Sequence, residues 1–150
     1  MANEFVHLEL STDDVKKARS FYKTIFDWTF EDMAMGPGMT YTMIKGAGTG
    51  GGMMGKQMPQ QPTAWLAYVS VADLDKTVAK ARKAGANVVV ARQDIPGMGS
   101  LAVFIDPTGA ALGLWEPAAK AAPAAKPAAK KAAKKPAAKK APAKKAAKKK

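Results

Sequence analysis

The chain has 150 residues, which allows one compact domain or two small halves that share a core. Of its 24 basic residues, 13 are lysines of residues 118–150, which leaves 11 to balance the 12 acidic residues, all of which lie before that segment. The net charge of +12 therefore describes the end of the chain and not residues 1–117. The absence of cysteine excludes disulfides, thiolate metal sites and a cysteine nucleophile.

The first half predicts a strand, a helix and three further strands. Residues 5–10 alternate, so that Val6, Leu8 and Leu10 share one face and the triplet Phe5, His7 and Glu9 shares the other. A helix follows, with Ser11 or Thr12 as its cap. Two aspartates, Asp13 and Asp14, fall in its first turn, where acidic side chains are favourable. The apolar stripe of this helix is Val15, Ala18, Tyr22 and Ile25. The three later strands are predicted at residues 27–31, 39–45 and 52–54.

The second half predicts the same order of elements after a linker at residues 56–63. Asp73 is placed to cap the helix, and Gly85 to end it, because glycine readily adopts the backbone conformation that follows a helix. Each half alone would bury too little surface, so the two are expected to pack as a pseudo-symmetric pair. The predicted strands are residues 65–71, 87–91, 101–105 and 111–116, with a loop at 94–99.

A turn organises the end of this folded region. Asp106-Pro107-Thr108-Gly109 joins two strands, since proline fixes φ and glycine supplies a conformation that other residues resist. The second of these strands closes on Glu116, and by alternation Leu112 and Leu114 share its face. After Pro117 the composition changes to Ala, Lys and Pro alone.

This ordered set resembles the vicinal oxygen chelate superfamily, which includes glyoxalase I, bleomycin-resistance proteins and extradiol dioxygenases. The residues that carry the resemblance are the first strand at 5–10, the Gly51-Gly52 pair, the 94–97 loop and the closing segment 106–116. The resemblance covers residues 1–117 and implies an α+β fold. In that fold two βαβββ modules, at about 1–56 and 64–117, form a half-open barrel around a pocket.

The same resemblance implies a site for a divalent metal, of which Zn, Ni, Mn and Fe are the candidates. His7 and Glu116 match ligand positions, Glu116 is also the candidate catalytic residue, and Glu9 and Tyr68 are candidate substrate contacts. Tyr68 stands where a histidine would serve, and the end of the first module offers no ligand. Two functions stay open: a metal-dependent lyase or isomerase of the glyoxalase type, and a non-catalytic ligand-binding protein of the bleomycin-resistance type.

Other classes of ligand and location are also constrained. Residues 46–51 match the pattern G-x-G-x-x-G, but no helix follows to hold a phosphate, so no nucleotide cofactor is predicted. No apolar run approaches the roughly 18 residues that span a membrane, and the predicted location is the cytoplasm. The resemblance further implies a homodimer.

Residues 118–150 predict a disordered tail, because lysines without acidic partners do not collapse onto a core and four prolines interrupt the alanine runs. The tail resembles the Ala/Lys/Pro-rich tails of linker histone H1. It is expected to bind nucleic acid without sequence preference, since it has no aromatic or base-reading side chain. Nucleoid association through the tail is a third functional hypothesis. The predicted contacts are Lys120, Lys126, Lys130, Lys131, Lys134, Lys135, Lys139, Lys140, Lys144, Lys145, Lys148, Lys149 and Lys150.

Overall fold

A computed structural model of the chain describes residues 3–118. The predicted disorder of the lysine-rich tail and its predicted nucleic-acid contacts lie outside the described residues. Each half has the expected order of strand, helix and three strands. The elements are β1 (Phe5–Thr12), α1 (Val15–Ile25), β2 (Thr29–Gly36), β3 (Met39–Lys45), β4 (Gly51–Gly55), β5 (Ala64–Ser70), α2 (Leu74–Lys83), β6 (Asn87–Ile95), β7 (Gly99–Ile105) and β8 (Ala111–Pro117).

Both helices begin at an aspartate. Asp73 accepts a hydrogen bond from the backbone of Lys76, as predicted. In the first half the cap is Asp14, which accepts from the backbone of Lys17, and not Ser11 or Thr12. Those two residues continue β1, because the strand keeps pairing with its neighbours beyond Leu10.

The eight strands form one sheet in the order β2-β3-β4-β1-β5-β8-β7-β6. The modules meet where β1 pairs with β5 in antiparallel fashion, and within each module the last strand lies parallel to the first. The sheet curls into a half-barrel, which confirms the predicted α+β fold of two βαβββ modules. None of the helices among the described residues is long and apolar enough to cross a membrane.

The helices cover one face of the sheet and leave the other, concave face open. Leu10, Ile44 and Met53 pack with the stripe of α1, and Leu114 packs with Leu74 and other residues of the α2 cluster. Side chains alternate along a strand, so the neighbours of Leu10 and Leu114 point to the concave face. A polar residue of β1 or β8 therefore lies on the concave face only if it is an odd number of positions from Leu10 or Leu114.

The predicted side-chain orientation of Phe5, on the same face of β1 as His7 and Glu9, is wrong. The pairing register shifts between Phe5 and His7, and Phe5 lies opposite Val69, which packs against the core of the helix-covered face. A bulge inserts one unpaired residue and moves the preceding side chain to the other face. His7 and Glu9 therefore share the concave face without Phe5.

Candidate functional site

Four polar side chains from three strands meet at the middle of the concave face. The Tyr68 hydroxyl donates to Oε1 of Glu9 at 3.1 Å, and the Tyr41 side chain is near enough to the same carboxyl group to influence its pKa. The Tyr41 hydroxyl also lies 2.6 Å from Nε2 of His7. The structure thus brings together the three sequence-predicted residues His7, Glu9 and Tyr68, and adds Tyr41, which sequence analysis missed.

Two glycines make room for the two tyrosines. A Cβ at Gly52 would overlap the outer end of the Tyr41 ring, and a Cβ at Gly113 would overlap the Tyr68 ring close to its attachment. Gly52 pairs with Glu9 across β4 and β1, and Gly113 pairs with Tyr68 across β8 and β5. A larger residue at either glycine would displace the tyrosine whose ring lies against it.

The two modules place different chemistry at equivalent positions. Glu9 lies five residues before the helix cap Asp14, and Tyr68 lies five residues before the helix cap Asp73. By the same count, the equivalent of His7 in the second module is Leu66. Tyr68 lies directly across the strand pair from His7, with ring centroids 6.1 Å apart. It is therefore the neighbour of His7 and the module equivalent of Glu9.

Burial sets the electrostatics of this cluster. It raises the pKa of Glu9, and the nearby hydroxyl groups of Tyr41 and Tyr68 offset only part of that effect. Burial also lowers the pKa of His7 and raises the pKa of each tyrosine, with the nearby Glu9 charge adding to the tyrosine shifts. An ionised carboxylate only accepts hydrogen bonds, so Tyr68 donates to Glu9, whereas the tautomer of His7 sets the direction of its hydrogen bond with Tyr41.

The raised pKa of Glu9 predicts a gain in stability when its charge is removed. At pH values between the ordinary pKa of 4.5 and the higher pKa in the folded chain, Glu9 binds more protons in the folded state than in the unfolded state. The contribution of Glu9 to the free energy of unfolding therefore falls as the pH rises through this range. Glu9→Gln should raise the free energy of unfolding above that window by about 1 kcal/mol. Urea melts of both proteins from pH 4 to pH 8 would measure the difference. Both proteins retain His7, so the titration of His7 does not account for a difference between them.

Glu116→Gln is the matched control for this prediction, because it removes a carboxylate from the same sheet outside the cluster. We expect it to bring no such gain in stability at pH 7. A Glu9→Gln protein less stable than the wild type at pH 7 would show that the fold favours the ionised carboxylate. That result would contradict the direction of the pKa shift.

Glu116 lies on the other face of the sheet. It shares a face with Leu114, as predicted, but that is the face that α2 covers. Oε2 of Glu116 lies 3.3 Å from the Arg92 guanidinium, which also pairs with Asp75 of α2 and with Asp94. This group borders a cleft of about 440 Å³ beside the β6–β7 turn. The structure therefore does not bring Glu116 together with His7.

The donor set of the concave face does not fit the divalent metal that the resemblance implies. Catalytic metal centres use at least three protein ligands, and no group of three or more His, Cys, Asp or Glu side chains is placed to hold one within residues 3–118. His7 and Glu9 already bond to the tyrosines, whose raised pKa values disfavour phenolate ligands. The space of Gly52 and Gly113, where longer side chains could reach inward, is taken by those same rings.

Two βαβββ modules in one curled sheet, with polar side chains gathered on its concave face, define the class of protein. The sequence model of the Glyoxalase/Bleomycin resistance protein/Dioxygenase superfamily matches residues 4–114, and the chain belongs to that superfamily.

Two relatives and two solved structures illustrate the range of similar proteins. "Putative glyoxylase CFP32" of Mycobacterium bovis is 39% identical over 111 residues, which are 73% of this chain and 42% of the relative. Anthracycline biosynthesis protein DnrV of Streptomyces peucetius is 26% identical over 122 residues, or 71% of this chain and 44% of the relative. The chain thus spans less than half the length of these relatives.

The structural neighbours show the fold alone, because their sequence identities are low. Hypothetical protein BH1468 of Bacillus halodurans has a TM-score of 0.63 and 11% identity, covering 82% of this chain and all of its own. Methylmalonyl-CoA epimerase of Mycobacterium tuberculosis has a TM-score of 0.57 and 17% identity, covering 80% of this chain and 94% of its own.

Proposed function

We propose that the concave face of this domain binds a small molecule through Glu9, His7 and the two tyrosines, without a resident metal ion. One observation carries the proposal: a partly buried carboxylate at the centre of the face accepts a hydrogen bond from the Tyr68 hydroxyl and has no ion pair with a side chain of the described residues. Small-molecule sites combine a largely apolar lining with a few polar groups that orient the ligand, and the concave face offers both kinds of side chain. This is closest to the ligand-binding function of the bleomycin-resistance type.

A ligand screen by thermal shift would test the proposal. Leu66 pairs with Glu9 on the same face, so Leu66→Trp is expected to cover the space beside Glu9 and abolish ligand-dependent increases in Tm. Met98→Trp is the matched control, since Met98 is exposed in the β6–β7 turn and its replacement should leave binding intact. Ligands that stabilise the wild type and Leu66→Trp equally would bind elsewhere and contradict the proposal.

The alternative is a metal-dependent lyase or isomerase with His7 and Glu116 as ligands and Glu116 as the catalytic residue. This function requires two side chains from opposite faces of the sheet to share one ion. The names of the relatives, a glyoxylase and an anthracycline biosynthesis protein, favour small-molecule chemistry in general and do not distinguish the two functions.

Metal binding separates these two functions directly. We expect calorimetric titration of the untagged full-length chain with Zn²⁺ or Ni²⁺ to show no stoichiometric site, because the concave face supplies too few free donors. His7→Ala and Glu116→Ala should give the same result as the wild type. A one-to-one site lost in either variant would support the lyase, as would metal-dependent turnover of a 2-oxoaldehyde hemithioacetal.

A second function is proposed for residues 118–150, on the observation that 13 lysines occur there without an acidic residue. Such a segment neutralises phosphates and releases their counterions, which supplies affinity for nucleic acid of any sequence. The domain and the lysine-rich segment would then act on two different ligands, a small molecule and a polyanion.

A further inference from the structure

We propose that the ligand of the concave face presents a protonated amine to Glu9 and an apolar body to the methionine-rich strands beside it. The inference rests on the proposed small-molecule function and specifies the chemical class of the ligand. It follows from the unmatched charge of Glu9, from the distribution of basic side chains and from the register of the strands.

Glu9 retains capacity to accept hydrogen bonds. A carboxylate offers about four lone-pair sites, and the structure shows one donor to it, the uncharged phenol of Tyr68. Among the ion pairs of the described residues, none includes Glu9. A largely buried carboxylate without a cationic partner is costly, and an ammonium group beside it would lower that cost.

Besides His7, whose pKa is lowered by burial, three basic side chains in or next to this sheet are already paired with carboxylates. Lys45 forms an ion pair with Glu31, and Lys56 donates to Asp13 at 2.6 Å. Arg92 is bound to three carboxylates on the helix-covered face. An anionic ligand would therefore meet the Glu9 charge, and none of these paired side chains of residues 3–118 is available to offset it, whereas a cation would meet one carboxylate and two electron-rich phenol rings.

The lining beside Glu9 is apolar and adaptable on one side. A row of paired residues crosses four strands from Met43 through Gly52 and Glu9 to Leu66. In the next row, Met33 and Met54 flank Tyr41. Unbranched methionine side chains adjust to irregular apolar shapes, so an aromatic or aliphatic body can pack here while its amine reaches Glu9.

Three naphthalene probes that differ only in the head group test this assignment on the full-length chain. They are 2-naphthylmethylammonium, 2-naphthylmethanol and 2-naphthoate, measured by isothermal titration calorimetry. We expect the ammonium probe to bind about tenfold more tightly than the alcohol, because a charge-assisted hydrogen bond to a carboxylate adds to the shared apolar contact. Glu9→Gln should remove that advantage, so that the ammonium and alcohol probes bind this variant with affinities within about twofold of each other.

The controls distinguish failure of this inference from failure of the proposed function. If ammonium and alcohol bind equally and Leu66→Trp blocks both, the amine preference is overturned and the small-molecule site stands. If naphthoate binds most tightly in a manner that Leu66→Trp abolishes, the preference is likewise overturned. If Leu66→Trp leaves naphthoate binding unchanged, naphthoate binds the lysine-rich segment and not the concave face. Together with tighter binding of the ammonium probe than of the alcohol, that result supports the assignment. If Leu66→Trp affects none of the probes, both the site and its specificity are overturned.

Discussion

Replacing Gly113 by alanine is expected to lower the free energy of unfolding by about 2–3 kcal/mol and the Tm by about 10 °C. The added methyl group would overlap the Tyr68 ring near its attachment to the chain, where the ring has little freedom to swing. Tyr68 is only 5% exposed, so its neighbours also resist displacement. Thermal and urea melts of the full-length variant would measure the loss.

Two comparisons tie this loss to the tyrosine. Gly55→Ala is the matched control on β4, because a Cβ there meets no atom within 4 Å, and we expect no loss of stability. Gly52→Ala should cost less than Gly113→Ala, since it meets the outer end of the Tyr41 ring, which can move. A Gly113→Ala protein as stable as Gly55→Ala would show that Tyr68 does not occupy the space above Gly113.

Removing residues 119–150 is expected to abolish most of the affinity for DNA. Each phosphate neutralised by a lysine contributes about 0.9 to the slope of log affinity against log salt, so six such contacts predict a loss of about a thousandfold between about 50 and 200 mM salt. The truncated chain should bind at least about a hundredfold more weakly at the lower salt, with a flat salt dependence. Fluorescence anisotropy with duplexes of two unrelated sequences would measure both effects.

Two further variants control for composition and for length. A chain with the same tail residues in permuted order should bind like the wild type, because charge and not sequence supplies the affinity. A chain in which the tail lysines are replaced by glutamine should bind like the truncation. Equal affinity of the full-length and truncated chains at low salt would refute nucleic-acid binding by this segment.

Local sequence was sufficient to predict the order of the elements but not all of their bounds, since β2 runs on to Gly36 and β6 to Ile95. Alternation predicted β1, the aspartate before an apolar stripe predicted the start of α2, and Asp106-Pro107-Thr108-Gly109 predicted the last turn, whose loop is closed by backbone bonds between Asp106 and Gly109 or Ala110. These features depend on contacts between residues close in the chain. The ordered set of such features was enough to identify the superfamily, which the match over residues 4–114 confirms.

The candidate site was predicted only in part. His7, Glu9 and Tyr68 share the concave face, and the first two follow from alternation within one strand. Tyr41 lies 34 residues from His7 in sequence, and its contact with the cluster depends on the order of three strands. A signal was available in the glycines, since Gly52 and Gly113 occupy interior strand positions where glycine commonly marks the close approach of another group.

The sequence by itself determined the βαβββ repeat, the charge imbalance between residues 1–117 and the lysine-rich segment, and the sets of residues that share a strand face. Only the tertiary structure decided which of those faces the helices cover. Alternation placed Glu116 with Leu114, but packing of Leu114 against α2 put both on the covered face, away from His7. The physical reason is that strand periodicity relates neighbours within one strand, whereas the side on which a helix packs depends on burial summed over the whole sheet.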